Sequence, residues 1–382
     1  MIPRRQFLFS LSATLLAARS LPAARRLTPP TRIYIGTGDQ KTGILVADWN
    51  ATTGEIGSIE PAAEVVSPTF LAQFRRRNGE TCLYAATETK RPEARVSAFT
   101  TVYGQKTLRL LNHIDTAGDG PTHVSVSPDG RTVLVANYGS GSVSSFRVLA
   151  DGSLSPVVSH FQFTGSGPYQ GRQEAPHTHS AVTSPDGRFV LVNDLGLDRI
   201  MVFHLKSSTA EMAPADPPYW SARPGTGPRH LAWSPKGKFV YGSNELDSTV
   251  ETLAWSEHPP MLRSVGFVSS LPVGFPPNTA FVGEIIASAD GRNVYAGNRV
   301  ADDTVAVFDV DRSTGLLQQT QLAPSGGQNA RHIALDPLGQ WLVVSHQNSN
   351  DLTVLKRDWK TGRLSAPVHT YPAAKPMCVL FV

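Results

Sequence analysis

Five stretches of the chain share one arrangement of apolar and polar positions. An apolar, alternating strand runs into a turn of the Pro-Asp-Gly kind. A second apolar strand follows and ends on Asn or Asp, and a third strand comes after it. The pattern reads PTHVSVSPDGRTVLVANYGSGSVSSFRV from Pro121 and HSAVTSPDGRFVLVNDLGLDRIMVFHL from His179. It returns from Pro228, from Gly283 and from Ala330, and a weaker copy, TFLAQFRRRNGETCLYAATE, starts at Thr69. The turn glycines are Gly79, Gly130, Gly187, Gly237, Gly291 and Gly339, spaced by 51, 57, 50, 54 and 48 residues. Asp-Gly and Asn-Gly suit tight hairpin turns because both residues tolerate positive φ.

A four-stranded propeller blade takes about 40–50 residues, which matches the period. A seventh copy begins at Ile33 (IYIGTGDQKTGILVADW) and matches the second and third strands of the pattern but lacks the first. The missing strand stands at the other end of the chain, in Pro376–Val382. The expected fold is therefore all-β: a seven-bladed β-propeller whose ring is closed by a blade shared between the N- and C-terminal strands, with no open sheet edge. A β-sandwich or a parallel β-helix does not account for both the long period and the split copy. Ala210–Arg223 reads as a Pro-rich inserted loop.

Composition fits this, with 32 Gly and 29 Pro among 382 residues and 17% charged residues. The first residues stand apart. Arg4-Arg5 precedes an apolar run to Ala18 and a small-residue exit, the outline of a twin-arginine export signal over residues 1–24. Ser20 and Ala24 are both candidate cleavage positions. The run is too short to anchor in a bilayer. A periplasmic or secreted propeller domain over 30–382 is expected, monomeric and without a membrane anchor. Removal of residues 1–24 takes away Arg4, Arg5 and Arg19 and no acid, which lowers the formal net charge from +4 to +1. The basic balance thus points to no acidic partner, and no stripe suits nucleic acid. Cys82 and Cys378 both sit in apolar, strand-like runs and read as buried free thiols.

Candidate chemistry comes from counting away from the turn glycines. Eight residues before them stand Thr122, His179, Arg229, Gly283 and Arg331; eight after stand Tyr138, Leu195, Glu245, Arg299 and Gln347. The first strand of a blade lines the channel, so these registers predict two concentric rings near one mouth. Other repeat positions carry Val, Leu, Ile and Ala. Here stand one His, three Arg and one Glu, with Arg229 and Glu245 expected to face each other across one turn. Their bland reading is a cross-strand ion pair. His123, His230 and His332, one step along, read as structural, and the recurring Asn137, Asp194, Asn244, Asn298 and His346 as turn residues. The surplus of arginine over glutamate suggests a small anionic ligand.

Other chemistries lack their signatures. There is no Gly-x-Ser-x-Gly elbow, no GxGxxG-strand-helix unit and no P-loop, so neither a serine hydrolase nor a nucleotide cofactor is implied. His177 and His179 could begin a metal site, but no acidic or histidine partners share their register. Neither a metal nor another cofactor is expected.

IYIGTG at 33–38, PTHVSVSPDG at 121–130, APHTHS at 175–180, NDLGLDRI at 193–200, GPRH at 227–230, GEI at 283–285 and GNR at 297–299 resemble one family. It is the propeller lactonases, which include bacterial 6-phosphogluconolactonase and fungal carboxymuconate cycloisomerase. The resemblance covers essentially all of the chain after the signal. It implies a carboxylic ester hydrolase that opens a sugar lactone, with His179 (His177 beside it), Arg229, Glu245 and Arg299 as catalytic residues. Arg331, Tyr138, His177 and Gln347 stand as candidate substrate contacts. Lactone hydrolysis needs proton transfer, from Glu245 or His179, and cations for the carbonyl and an anionic group, from Arg229 and Arg299. A carboxymuconate-type cycloisomerase and a non-catalytic binding propeller remain as alternatives.

Overall fold

The Pro-Asp-Gly turns place glycine where only a left-handed backbone closes the hairpin. Gly130 has φ of 73°, and a Cβ there would strike the Phe74 ring of the neighbouring sheet. The second strand of each repeat is covered on both faces, so Thr132–Asn137 and Phe189–Asp194 are buried throughout. Outermost strands expose one face and alternate, as Leu154–Gln162 does.

The computed structural model describes Arg32–Val382 apart from Tyr103 and Pro277. The proposed export signal lies outside the described residues. Seven antiparallel sheets follow in order. Blade 1 holds Arg32–Ala63, blade 2 Pro68–Asp115, blade 3 Pro121–Gln162 and blade 4 Thr178–Ser221. Blade 5 holds Pro228–Ser269, blade 6 Ala280–Pro324 and blade 7 Ala330–Pro372. The inner strand of blade 1 is Pro376–Phe381, paired antiparallel with Arg32–Thr37 so that Tyr34 lies opposite Leu380 and Ile35 opposite Val379. Termini and ring close together, as the split repeat predicts.

The apolar cores lie between blades. Each of the seven clusters draws on two neighbouring sheets, and the closure cluster joins Trp49 and Phe381 of blade 1 to Trp341 and Leu352 of blade 7. Trp341 Nε1 also donates to the Ala51 carbonyl at 3.0 Å. Each such large side chain contributes about 1.5–3 kcal/mol by leaving water. A blade therefore depends on both of its neighbours. The Pro-rich segment is not an inserted loop: Glu211–Ser221 is the outer strand of blade 4. Proline is tolerated there because an outer strand has one unpaired edge.

Candidate active site

Successive side chains of a regular strand point to opposite faces, so alternate residues alone could line the channel. All seven inner strands break this rule at one level. The register slips by a residue at Thr69, Thr122, His179, Arg229, Gly283–Glu284, Arg331 and Met377. A β-bulge of this kind re-aims a side chain without ending the sheet. Consecutive residues such as Arg229 and His230, or Arg331 and His332, thus border one cavity of about 10 Å³ on the axis, the size of a single water.

The bulge corrects one expectation. Arg229 does not sit across the ladder from Glu245: Pro228 pairs with Asn244, His230 pairs with Ser243, and Arg229 is the unpaired residue between them. Glu245 follows the second strand, its N–H bonded to the Gly227 carbonyl at 2.8 Å. The two side chains meet all the same, because the bulge turns Arg229 toward the mouth.

Glu245 is the centre of the mouth layer and is 1% exposed. Its Oε1 accepts a hydrogen bond from Arg172 Nη2, while Oε2 lies 2.9 Å from Arg229 Nε and 2.8 Å from Arg299 Nη2. The last two are ion contacts too bent to be hydrogen bonds, and Arg229 Nη1 and Arg299 Nε have no hydrogen-bond partner among the described residues. Burial alone would raise Glu245, but Arg299, Arg229 and Arg172 outweigh it and hold its carboxyl well below the usual carboxylate range. Burial, with Arg331 and Arg299 nearby, pushes Arg229 down to about 9, so its guanidinium stays charged at neutral pH. Phe281 lies under two of these cations, 5.5 Å from Arg172 and 6.0 Å from Arg299.

Arg299 is followed by Val300 at φ 81°. A β-branched residue in that region is strained by about 1–3 kcal/mol, a cost found where a neighbouring side chain must be aimed.

One step deeper, the residues after the bulges form an imidazole layer. Phe70 fills its middle, 4.4 Å from the His123 ring and 5.6 Å from both His230 and His332. His179 Nδ1 lies 3.2 Å from His230 Nε2, and His230 Nδ1 lies 2.9 Å from Glu284 Oε2. His179 Nε2 points toward Glu245 Oε2 at 3.9 Å. Burial, reinforced by Arg229, pushes His179 and His230 well below the ordinary histidine range, and both rings are neutral at pH 7.

Other sequence candidates are placed unevenly. Tyr138 stacks on His177 at 4.4 Å and stands edge-on to His179 at 5.4 Å, so these three share one wall. His177 Nδ1 lies 3.0 Å from the Tyr138 carbonyl oxygen. Arg331 borders the axial cavity and has no carboxylate within ion-pair distance among the described residues. Gln347 Oε1 accepts from Asn329 Nδ2 at 3.5 Å, and Leu195 is buried against Gly227. The second register is therefore not a ring of site residues. Asn137, Asn244 and Asn298 bond the hydroxyls that open their third strands, as turn residues should.

Sequence reasoning missed Arg172, Glu284 and Phe281. Glu284 carried a signal, since it adjoins Gly283 of the ring register. Arg172 carried none. It sits in the strandless connection between blades 3 and 4, pinned by the buried Gln173, whose Nε2 donates to Leu195 O at 2.7 Å and Asp198 Oδ1 at 2.8 Å.

Comparison with known proteins agrees with this fold. A family model described as "Lactonase, 7-bladed beta-propeller" matches residues 32–381. The 6-phosphogluconolactonase of Bacillus subtilis (strain 168) is 34% identical over 351 residues, 91% of this chain and 97% of its own. The 6-phosphogluconolactonase of Formosa agariphila is 30% identical over 87% of this chain and 94% of its own. Among solved structures, the periplasmic gluconolactonase of Pseudomonas aeruginosa superposes with a TM-score of 0.84 at 30% identity, over 92% of this chain and 98% of that one.

Proposed function

Because the chain belongs to the seven-bladed β-propeller lactonase family, we propose that it hydrolyses a sugar-derived lactone to the open hydroxy acid. The substrate class is an aldonolactone, gluconolactone or its 6-phosphate. The observation that carries this reading is a neutral histidine, His179, set beside converging guanidiniums in one channel mouth.

His179 Nε2 takes a proton from water as the water oxygen bonds to the lactone carbonyl carbon. The carbonyl π pair moves onto its oxygen, where Arg229 and Arg299 offer buried N–H donors with no hydrogen-bond partner among the described residues. Collapse restores the carbonyl and breaks the ring C–O bond. The departing ring oxygen takes its proton from the His179 imidazolium, so one water is added in all. The positioned base contributes about 10²–10⁴-fold and each oxyanion donor about 10²–10³-fold. Glu245 is too acidic for the base and serves to hold and aim three guanidiniums. Arg331 is assigned to an anionic or hydroxyl-rich end of the substrate.

The same reading puts the mature protein outside the cytoplasm. It is supported by Arg4-Arg5 with the apolar run behind it, and by the Pseudomonas relative, described as a periplasmic gluconolactonase.

Purified protein offered D-glucono-δ-lactone, its 6-phosphate and a carboxymuconate, with acid release followed by pH-stat, tests the proposal. Catalysed opening of a lactone is expected. Cyclisation of the muconate alone would favour a cycloisomerase, and no turnover of any of the three would favour a binding propeller.

A further inference from the structure

Glu284 and His230 have no part in the reaction as drawn, yet both are buried, and His230 lies between Glu284 and the base. A carboxylate only accepts hydrogen bonds. Glu284 takes the Ile285 N–H at 3.1 Å, and His230 Nδ1 lies 3.0 and 2.9 Å from its two oxygens, so that nitrogen carries hydrogen. His332 is a second ring near this carboxylate: its Nδ1 accepts the Val379 N–H at 3.4 Å, and its Nε2–H faces Cys378 Sγ at 3.6 Å with Glu284 Oε2 3.5 Å away.

In a neutral imidazole one nitrogen donates and the other accepts. With Nδ1 committed, His230 Nε2 is bare, and the atom 3.2 Å from it, His179 Nδ1, must be the donor. His179 is neutral in turn, so its Nε2 is bare. The 3.9 Å gap to Glu245 Oε2 fits two acceptors, being too long for a hydrogen bond. The opposite tautomer would turn an Nε2–H onto Glu245 and abolish the base.

We propose that Glu284 and His230 are positioning residues that fix the tautomer of His179 and keep its Nε2 lone pair directed into the channel. The inference rests on His179 being the base of the proposed lactonase. Besides the relay, His179 faces Arg229, Arg299 and Arg331 as cations, Glu245 as an anion, and the Tyr138 ring.

Two substitutions at one position separate a relay from packing. His230→Phe keeps the ring beside Phe70 but severs both hydrogen bonds. His230→Gln loses the ring but presents an amide donor to Glu284 and an amide acceptor to His179. A relay predicts that H230F loses about a hundredfold or more in kcat with KM within about threefold, while H230Q stays within about tenfold of the parent. A packing role predicts the reverse order, which would overturn the proposal. Glu284→Gln removes the charge behind the relay. It is expected to lower kcat about tenfold and move the acid limb of kcat/KM to lower pH, since His179 becomes less basic; an unmoved limb counts against the relay. Nitrogen-15 shifts of the parent's histidines read the tautomer without any substrate. They should show His179 protonated at Nδ1 and bare at Nε2, and the opposite pattern would overturn the proposal even if every variant folds poorly. A parent that opens no lactone removes the lactonase reading, and the nitrogen shifts still decide the relay.

Discussion

Two carboxylates lie one layer apart on the same channel axis and are used in opposite ways. Glu245, at the mouth, is gripped by Arg172, Arg229 and Arg299. Glu284, deeper, is met by His230 and His332 and by its neighbour's backbone N–H. Around Glu245 every partner carries a permanent charge, so the carboxylate is drained of basicity and works as an anchor for cations. Around Glu284 the partners are neutral rings, so the carboxylate instead dictates where their protons sit. Residue type is the same in both places, and the surroundings decide the role.

The contrast is tested most severely at the mouth. Glu245→Gln leaves three guanidiniums without their anion in a buried site, which should cost about 3–5 kcal/mol of stability. It should also lower turnover by about 10²–10³-fold, because the oxyanion donors lose their aim. Thermal melting and initial rates check both. A variant that melts with the parent would show that the arginines are solvated and the anchor idea wrong.

The deep layer predicts an acid weakness. Burial holds His123, His179, His230 and His332 below the ordinary histidine range. Once pH falls below about 6.5 the unfolded chain binds protons that the folded chain refuses. Stability should therefore drop toward acid by up to about 1.4 kcal/mol per pH unit for each ring, and be flat in this respect above neutrality. Urea midpoints between pH 5 and 8 measure it; a midpoint that does not fall below pH 6.5 would mean that the rings are charged when folded.

Arg331 is the ring cation with no carboxylate within ion-pair distance among the described residues, and its loss should matter least. Arg331→Ala should raise KM about tenfold and leave kcat within about twofold, the mark of lost uniform binding. An unchanged KM would remove Arg331 from the substrate site.

The repeat, its hairpin turns and the split first blade were legible because they follow from local rules. Glycine marks positive φ at the turns, apolar runs mark strands covered on both faces, and Pro376–Val382 completed the copy that began at Ile33. The glycine register also reached His179, Arg229, Glu245, Arg299 and Arg331, because hairpins of equal length bring equal positions to one level. It failed where local rules give way. His230 and His332 read as structural from the sequence, whereas the bulge brings each to the cavity beside its neighbour. Leu195 and Gln347 share the backbone position of Glu245, but Leu195 packs on Gly227 and Gln347 meets Asn329, so side-chain type and neighbours, not register, separate them from it.

The blade, the number of blades and the closure of the ring were thus written in the chain, since each depends on residues near one another or on a period. Which side chains surround the axis depends on packing. Arg229 and Glu245 share the first hairpin of blade 5, but Arg172, from the connection between blades 3 and 4, and Arg299, from blade 6, reach that pair only once the neighbouring blades have packed. Charge states are decided there as well: a carboxyl or an imidazole titrates according to its burial and the charges beside it, and neither exists until the blades are packed.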